Sequence, residues 1–586
     1  MNRSTQNVKA FPCQLSASDN ARCFKEDSPA LLPLVLGVTG HRDIQDGERI
    51  SDLLKTQIAK LQQRYPSTPL VAMSSLAEGA DRIFAQTALN AGIPLYVPLP
   101  FSPEEYEKDF PDTVDEFRSL CAAAEAVFQV PLAPGATSEN LCHVLGETGN
   151  SWRDWQYAMA GIYLAQRAHI LFALWDGQSA RGIGGTAQIV HFRLKGRLDD
   201  QAISEEERFR LHAMVPFSLL DDPENGLVCH IKVRRGHLMA QSDAPPSPDW
   251  IAGEPADYAP LRQMDAYNKQ AGNVSVPSFT EEAGSTRRFA DRESARLLMK
   301  GTVADTLAHQ HMQEARKNFL YIFCMAGGMV VSHELYAEIE PSWIFLLIYL
   351  LLLGGIGWLV WHMHHQHKNS IAVDYRSLAE GLRVQQAWYC SGLPDQVSQH
   401  YLRRHSQSLG WVRVALQGAC IPYHAKATLE DIQKIRTSWI NGPNGQAAYY
   451  KTSVKRRERV VNRLSIASIF CFSAGLVAAL VTLPIRMGIW VPSNLFLPAI
   501  LGFLIGLLPA AAGLLSGYLE FAAYEEDVRE HTRGKDLFVR ADRELDQEPP
   551  LREKQALIRQ LGIEALIEHA NWALLHKNHD AKAPMG

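Results

Sequence analysis

The chain has 586 residues, of which 46% are hydrophobic and 21% charged, with a formal net charge of -5. That length allows two to four domains, and a charge this near neutral excludes nucleic-acid binding driven by bulk charge. None of the nine cysteines forms a C-x-x-C pair, so we expect reduced thiols rather than a disulfide framework. The polar first 29 residues lack the apolar core of a secretory signal.

An alternation of strands and helices is predicted after a flexible leader (1–30). The continuous apolar run Leu31–Val38 is typical of a strand buried on both faces. The other predicted strands are Pro69–Ser74, Pro94–Leu99, Ala168–Trp175 and a peripheral Leu227–Val233. The predicted helices between them are Glu48–Tyr65, Ala80–Ala91, Ser151–Arg167 and Gly185–Phe192. This order predicts an α/β fold, a Rossmann-like doubly wound parallel sheet.

Four apolar stretches arranged as two close pairs follow this segment and predict an α-helical membrane domain with two hairpins. A span needs about 20 apolar residues. The last three stretches meet that length, and the first is shorter but joined to its partner by a short loop. The predicted domains are a leader (1–30), an α/β domain (31–240), a linker (241–289), a helix with the first hairpin (290–392, spans about 318–332 and 343–361), a cytosolic helical segment (393–463), the second hairpin (464–519, spans about 464–484 and 495–519) and a cytosolic helical tail (520–586).

Charged flanks predict the orientation of these spans. Arg316 and Lys317 precede the first span, and a basic run over Lys455–Arg463 precedes the third. The loop between the first two spans is acidic. Because basic flanks stay in the cytosol, we expect a multi-pass protein with both termini cytosolic and both short loops outside.

Three glycine-containing loops follow predicted strands, at the edge where open α/β sheets bind ligands. They are Gly37–Arg42, Ser74–Asp81 and Gly182–Thr186. Thr39 offers a hydroxyl and Arg42 a guanidinium fork suited to phosphate. The third loop opens a helix, whose first amides favour anions.

The loops together predict a site for a nucleotide-like ligand rather than for a metal, and no catalytic residue is assigned. A single glycine loop at a strand end is usually only a turn, but three that converge on one crevice favour binding. No P-loop is present, and no G-x-G-x-x-G dinucleotide fingerprint follows the first predicted strand. The predicted ligand-binding residues are Gly37, Thr39, Gly40, His41, Arg42, Ser74, Glu78, Gly79, Asp81, Asp176, Gly184, Gly185 and Thr186.

Two neighbouring patterns are given structural interpretations. The carboxylate-rich run Glu104–Asp115 is expected to be a solvated helix face. Aromatic residues at helical spacing are expected to serve packing rather than base stacking; they are Trp152, Trp155, Tyr157 and Tyr163.

The front segment resembles the SLOG superfamily, whose Rossmann-like relatives include the LOG phosphoribohydrolases and DNA-processing protein A. The resemblance is carried by Leu34–Asp43, Ser74–Asp81, Leu99–Phe110 and Gly184–Thr186, and covers roughly residues 31–240. It implies binding of a nucleotide-derived signal rather than a cofactor. LOG enzymes carry a catalytic glutamate after their Gly-Gly-x-Gly-Thr motif, where this chain has Ile189. An isoleucine cannot transfer a proton, so phosphoribohydrolase activity is not expected.

The membrane half resembles the SLATT group of membrane effectors, through a two-span hairpin followed by Asp374–Arg383. This resemblance implies a homo-oligomeric pore in a bacterial inner membrane. The sequence therefore favours a membrane effector in which a nucleotide-like ligand gates the hairpins, in the setting of bacterial defence. Two alternatives stay open: a membrane-tethered nucleotide or NAD hydrolase using Glu78 and Asp81, and a membrane scaffold whose sheet binds protein.

Overall fold

A computed structural model describes residues 30–141, 151–178, 183–196, 210, 213–214, 226–234, 248–251, 253–255, 257–274, 289–366, 368–402, 406–424, 427–443, 445–492, 494, 496–547 and 549–579. The predicted leader (apart from Ala30), parts of the predicted linker (241–247, 252, 256 and 275–288), and Gly182 of the third loop lie outside these residues. The chain divides into two compact units. Unit 1 comprises residues 1–304 and 378–432, and unit 2 comprises residues 305–377 and 433–586.

Unit 1 is built on a seven-stranded sheet in the order β4-β3-β2-β1-β5-β6-β7, in which only β7 is antiparallel to its neighbour. The central strands are apolar and buried because helices cover both faces. The strands are β1 Leu34–Gly40, β2 Leu70–Met73, β3 Leu95–Leu99, β4 Ala126–Gln129, β5 Ile170–Trp175, β6 Leu227–Lys232 and β7 Pro248–Ile251. The predicted Rossmann-like parallel sheet is confirmed.

Helices connect the strands and pack on the sheet. Those of the α/β segment are α1 Gly47–Arg64, α2 Ala80–Asn90, α3 Pro103–Tyr106, α4 Val114–Ala123, α5 Ser151–Arg167 and α6 Thr186–Lys195. Short 3-10 turns at Glu107–Asp109 and Pro111–Thr113 lie between α3 and α4. The later helices of unit 1 include α7 Ala259–Ala271, and a buried Asn268 on α7 donates to the Leu32 carbonyl at 2.9 Å and so fixes α7 beside β1.

The structure departs from the sequence prediction on one side of the sheet. The strand predicted as peripheral, β6, lies between β5 and β7, and β7 is the edge strand. Both β7 and α7 lie in the range predicted to be a linker. The prolines suggested a linker because they break regular structure, but an edge strand tolerates proline where no ladder amide is needed. Pro248 is the first residue of β7.

Helices, most of them long, dominate the described residues from 289 onward. They are α8 Phe289–Glu334, α9 Trp343–Gln366, α10 Lys368–Cys390, α11 Ser406–Gln417, α12 Leu429–Ile435, α13 Gln446–Arg486, α14 Leu497–Phe521, α15 Tyr524–Asp546 and α16 Leu551–His579. The described residues also include a 3-10 turn at Val397–Gln399 and π-helical turns at Leu335–Ile339 and Arg436–Ile440. In the part of the chain that the structure describes, four helical stretches are long and apolar enough to cross a membrane: Arg292–Ile339, Trp343–Cys390, Gln446–Arg486 and Leu497–Asp546. This agrees with the four predicted spans.

Small residues and aromatic rings set the helix packing in unit 2. Helix α8 runs along α14, with Phe319 and Phe521 ring centroids 4.5 Å apart at one end. At the other end, the Glu334 and Glu338 side chains lie against Gly506 and Gly502, where a Cβ atom would overlap them. Glycine allows this close approach because it has no Cβ.

Candidate functional site at the carboxyl edge of the sheet

The candidate site lies where the strand order reverses. Strand β1 pairs with β2 on one side and with β5 on the other. Connections after β1 and β5 therefore leave toward opposite faces and open a crevice at the carboxyl edge, the position at which doubly wound sheets bind ligands. The three predicted loops follow the adjacent strands β2, β1 and β5. The topology therefore brings them to one edge of the sheet, as the sequence predicted.

A histidine and an aspartate bridge this crevice. The His41 Nε2 atom, after β1, lies 3.0 Å from the Asp176 Oδ1 atom, after β5. The Asp176 backbone amide also points at the same nitrogen, at 3.3 Å. A second Asp176 contact, from the Gln178 amide to Oδ1 at 3.0 Å, shapes the turn that follows β5. The pair is partly exposed and thus within reach of a ligand in the crevice.

The second loop packs directly on the first. The Ala80 amide, at the start of α2, donates to the His41 carbonyl at 3.0 Å. Gly79 has φ +75°, and a Cβ there would overlap the Arg42 carbonyl. Leu76 is held at φ 58°, a left-handed conformation that costs a non-glycine residue about 1–2 kcal/mol. The glycine at position 79 is therefore required by the close approach of the two loops.

The first residues of α2 bury an acid at the crevice. Asp81 is 8% exposed and accepts from the Ala77 amide at 3.4 Å. Burial raises the pKa of its carboxyl from the ordinary 3.8 to about 7, and the Ala77 amide and the Arg42 and Arg82 charges oppose that rise only in part. Asp81 is thus near half-protonation at neutral pH, a property found often at functional sites.

Arg42 and Tyr157 form one wall of the crevice. The Arg42 guanidinium lies over the Tyr157 ring, 5.4 Å from its centroid. Burial raises the pKa of the Tyr157 phenol, so it stays protonated and donates to Asp109. Arg153, one turn earlier on α5, donates to Asp109 Oδ1 at 2.6 Å and to Glu105 Oε1 at 2.9 Å. The carboxylates of the run Glu104–Asp115 that were expected to be solvated are in part bound to this arginine, which is 7% exposed.

The third loop borders the same wall through α5. Gly184 has φ +78°, and a Cβ there would lie 2.8 Å from the Ala158 amide nitrogen, next to Tyr157. The Gly184 amide donates to the Gln188 side chain at 2.7 Å, and α6 begins at Thr186 after Gly185. Ile189 is 2% exposed and packs against Gly161 in the core. The position at which the sequence resemblance would place the LOG glutamate is therefore part of the hydrophobic core.

Three predicted residues make contacts within the fold itself. Gly37 lies inside β1, and a Cβ there would lie 2.7 Å from Ala168 and Leu164 atoms, so it serves packing. Ser74 is fully buried, and its hydroxyl donates to the Asp81 carbonyl at 3.0 Å. Glu78 Oε1 accepts from the Thr113 hydroxyl at 2.5 Å, which ties the second loop to the segment before α4.

Sequence reasoning missed the residues supplied by distant segments. Arg153, Asp109 and Arg82 border the crevice, although no glycine motif includes them. Arg82 is 3% exposed and donates to Glu116 Oε2 at 2.7 Å. The one available signal was the i, i+4 spacing of Arg153 and Tyr157, which places both on one face of α5. Of the aromatic residues predicted to serve packing, Trp155 and Tyr163 are buried in the core, whereas Tyr157 reaches the crevice.

The crevice combines a cation, a titratable acid and a histidine–aspartate pair on a rigid sheet edge. This set can bind a phosphate through Arg42, accept hydroxyl hydrogen bonds at Asp176, and exchange a proton at Asp81. No protein-family model, no curated protein and no solved structure matches this chain.

Proposed function

We propose that this protein is a homo-oligomeric membrane effector. Its sheet binds a nucleotide-derived ligand in the crevice between β1 and β5, and binding changes the packing of the membrane-spanning hairpins so that a pore opens. The setting we propose is defence in a bacterium, with the protein in the inner membrane and both termini in the cytosol. The resemblance to SLOG and SLATT proteins supports this setting.

The ligand class is supported by the chemistry of the crevice. Arg42 presents a guanidinium at the edge of the sheet, and Asp176 presents a carboxylate across the switch point. A phosphate would pair with the first and ribose hydroxyls with the second, as at other sheet edges of this topology. The first two loops approach each other closely because Gly40 and Gly79 carry no side chain, and Gly184 lets the third loop approach the Ala158 backbone on α5.

The link between the crevice and the membrane spans is supported by two helices that each contribute residues to both units. Helix α8 contributes residues 289–304 to unit 1 and residues 305–334 to unit 2, and α10 contributes residues 368–377 to unit 2 and residues 378–390 to unit 1. Both helices therefore belong in part to the unit with the crevice and in part to the unit with the spans.

The first turns of α8 are bound tightly to the sheet. Arg296 donates to the Tyr96 hydroxyl on β3 at 3.0 Å and to Glu125 Oε1 before β4 at 2.8 Å. Lys300, 6% exposed, donates to the Ala419 carbonyl at 2.9 Å. These are charge-assisted bonds at partly or fully buried positions, the class that resists breaking. A shift of the sheet would thus be transmitted to α8.

The ligand must bind the open arrangement more tightly than the closed one. Moving a population from 1:99 to 99:1 requires about 5.5 kcal/mol of differential binding. One charged ligand that contacts three loops in each subunit of an oligomer can supply that amount, because the contributions of the subunits add.

The proposal is tested by leakage of a fluorescent dye from liposomes that contain the full-length protein. ATP, NAD⁺, ADP-ribose and a cyclic dinucleotide serve as probes. We expect one of them to trigger leakage, and Arg42→Ala and Gly185→Asp to abolish it. Arg49→Ala removes the same charge from an exposed position on α1 and should leak like the wild type. Equal leakage from all four proteins would overturn the gating role of the crevice.

A membrane-tethered hydrolase is the second candidate, and the raised pKa of Asp81 favours it. A carboxyl with a pKa of about 7 can act as a general acid or base at neutral pH. This candidate predicts release of a free base from one of the same probes, detectable by chromatography, and its loss in Asp81→Asn. Intact probes that nevertheless trigger leakage would exclude the hydrolase.

A further inference from the structure

A groove runs between α8 and α9 within unit 2. It has a volume of about 760 Å³, inside the range of ligand pockets. Its walls come from two facing helices, and the residues that line it are Glu314, Lys317, Asn318, Tyr321, Cys324 and Met325 on α8, and Leu352, Gly355, Trp358, Leu359 and His362 on α9.

The groove is polar at one end and apolar along the rest of its length. Glu314, Lys317 and His362 lie at the polar end, next to the basic flank of the first span. Met325, Leu352 and Gly355 lie at the apolar end. The helix from Lys317 to Met325 rises by about 12 Å, close to the roughly 15 Å depth of one leaflet of a 30 Å hydrocarbon core.

The two helices close together beyond the apolar end. The Ser332 hydroxyl donates to the Phe345 carbonyl at 2.6 Å, and a Cβ at Gly328 would lie 3.1 Å from Leu352. At Gly355, which lines the groove, a Cβ would lie 3.3 Å from the Met325 sulfur, so a larger side chain there would project into the apolar end of the groove. The hairpin is thus a wedge, closed near its loop and open toward its charged end.

We propose that this groove binds one acyl chain of a zwitterionic glycerophospholipid, with the phosphate at Lys317 and the headgroup ammonium at Glu314. The inference rests on the membrane insertion that is part of the proposed function, and it adds a ligand site to it. A lipid suits the groove because its apolar chain and charged headgroup are separated along one axis, as the lining residues are. Lys317 complements the phosphate, whereas Glu314 disfavours a purely anionic headgroup.

The site is tested with full-length protein purified in mild detergent and supplied with phosphatidylethanolamine or phosphatidylglycerol. Native mass spectrometry counts the phospholipids that remain bound. We expect phosphatidylethanolamine to be retained and phosphatidylglycerol to be lost more readily. Lys317→Ala should weaken retention about fivefold, the factor that one lysine near a lipid phosphate contributes.

Two adjacent glycines give a matched pair of variants. Gly355→Leu fills the groove and should abolish retention, whereas Gly354→Leu, where a Cβ meets no atom within 4 Å, should retain lipid like the wild type. Equal retention by both variants would overturn the site. A fall in subunit number in Gly355→Leu, seen by light scattering, would instead assign the groove to a second copy of the chain.

Carbonate extraction of membranes separates this inference from the proposed function. If the protein stays in the membrane pellet but binds no phospholipid, the lipid site is wrong and gating by a nucleotide is untouched. If the protein is extracted by carbonate, membrane insertion and both proposals fail together.

Discussion

Replacing Asp81 by asparagine should make the stability of unit 1 less sensitive to pH. In the folded protein the pKa of the Asp81 carboxyl is raised from 3.8 to about 7 by burial. The folded state therefore binds a proton that the unfolded state releases between these two values. The contribution of this carboxyl to stability is fully present below the lower pKa and is lost as the pH rises toward the higher pKa. Asparagine stays neutral throughout and removes this loss.

The size of the effect follows from the two pKa values. Between pH 5 and pH 8, linkage gives a loss of roughly 3 kcal/mol in the free energy of unfolding of the wild type relative to Asp81→Asn. For a unit of this size that corresponds to roughly 5 °C in melting temperature. The Arg42 and Arg82 charges act on the same carboxyl, so their contribution is already included in the pKa.

The measurement is thermal unfolding of full-length protein in detergent at pH 5 and pH 8, followed by tryptophan fluorescence. The melting temperature of Asp81→Asn should rise relative to the wild type as the pH increases. Asp115→Asn makes the same charge change at an exposed position and should follow the wild type. If all three proteins show the same pH dependence, Asp81 is ionised in the folded state and the burial argument is refuted.

Two further predictions concern glycines. Gly79→Ala should destabilise unit 1 by roughly 2–4 kcal/mol, since strain at positive φ adds to overlap with the Arg42 carbonyl; Gly92→Ala, at φ +71° in open space, should cost only about 1 kcal/mol in urea unfolding. In unit 2, Gly506→Leu should displace the Glu334 side chain and lower the melting temperature in detergent, whereas Gly513→Leu, which faces open space, should not. A Gly79→Ala variant no worse than Gly92→Ala, or matching melting temperatures for the two leucine variants, would contradict the close approaches.

Local patterns failed where an element depends on partners far along the chain. The short strand β7 and the helix α7 lie among prolines and polar residues, and the sequence there predicted a linker. They are held by the ladder of β6 and by Asn268, whose partners Leu32 and Thr68 are 236 and 200 residues away along the chain. No window of sequence contains that information.

Some features of the crevice could likewise be predicted from local sequence, and others could not. The glycine loops could be predicted because positive φ and strand-end turns have a local residue signature. Three other features could not be predicted, since each depends on which segments the sheet order brings together. They are the raised pKa of Asp81, the pairing of His41 with Asp176 and the placement of Arg42 over the Tyr157 ring.

The sequence by itself determined that the chain has a parallel α/β sheet followed by four helices apolar enough to cross a membrane. Continuous apolar runs of strand or span length have few other stable environments. Only the tertiary structure decided that Gly37 and Ser74 face the core while Arg153 and Asp109 border the crevice. The physical reason is that burial and electrostatics act between residues close in space, and chain folding, not sequence spacing, sets those distances.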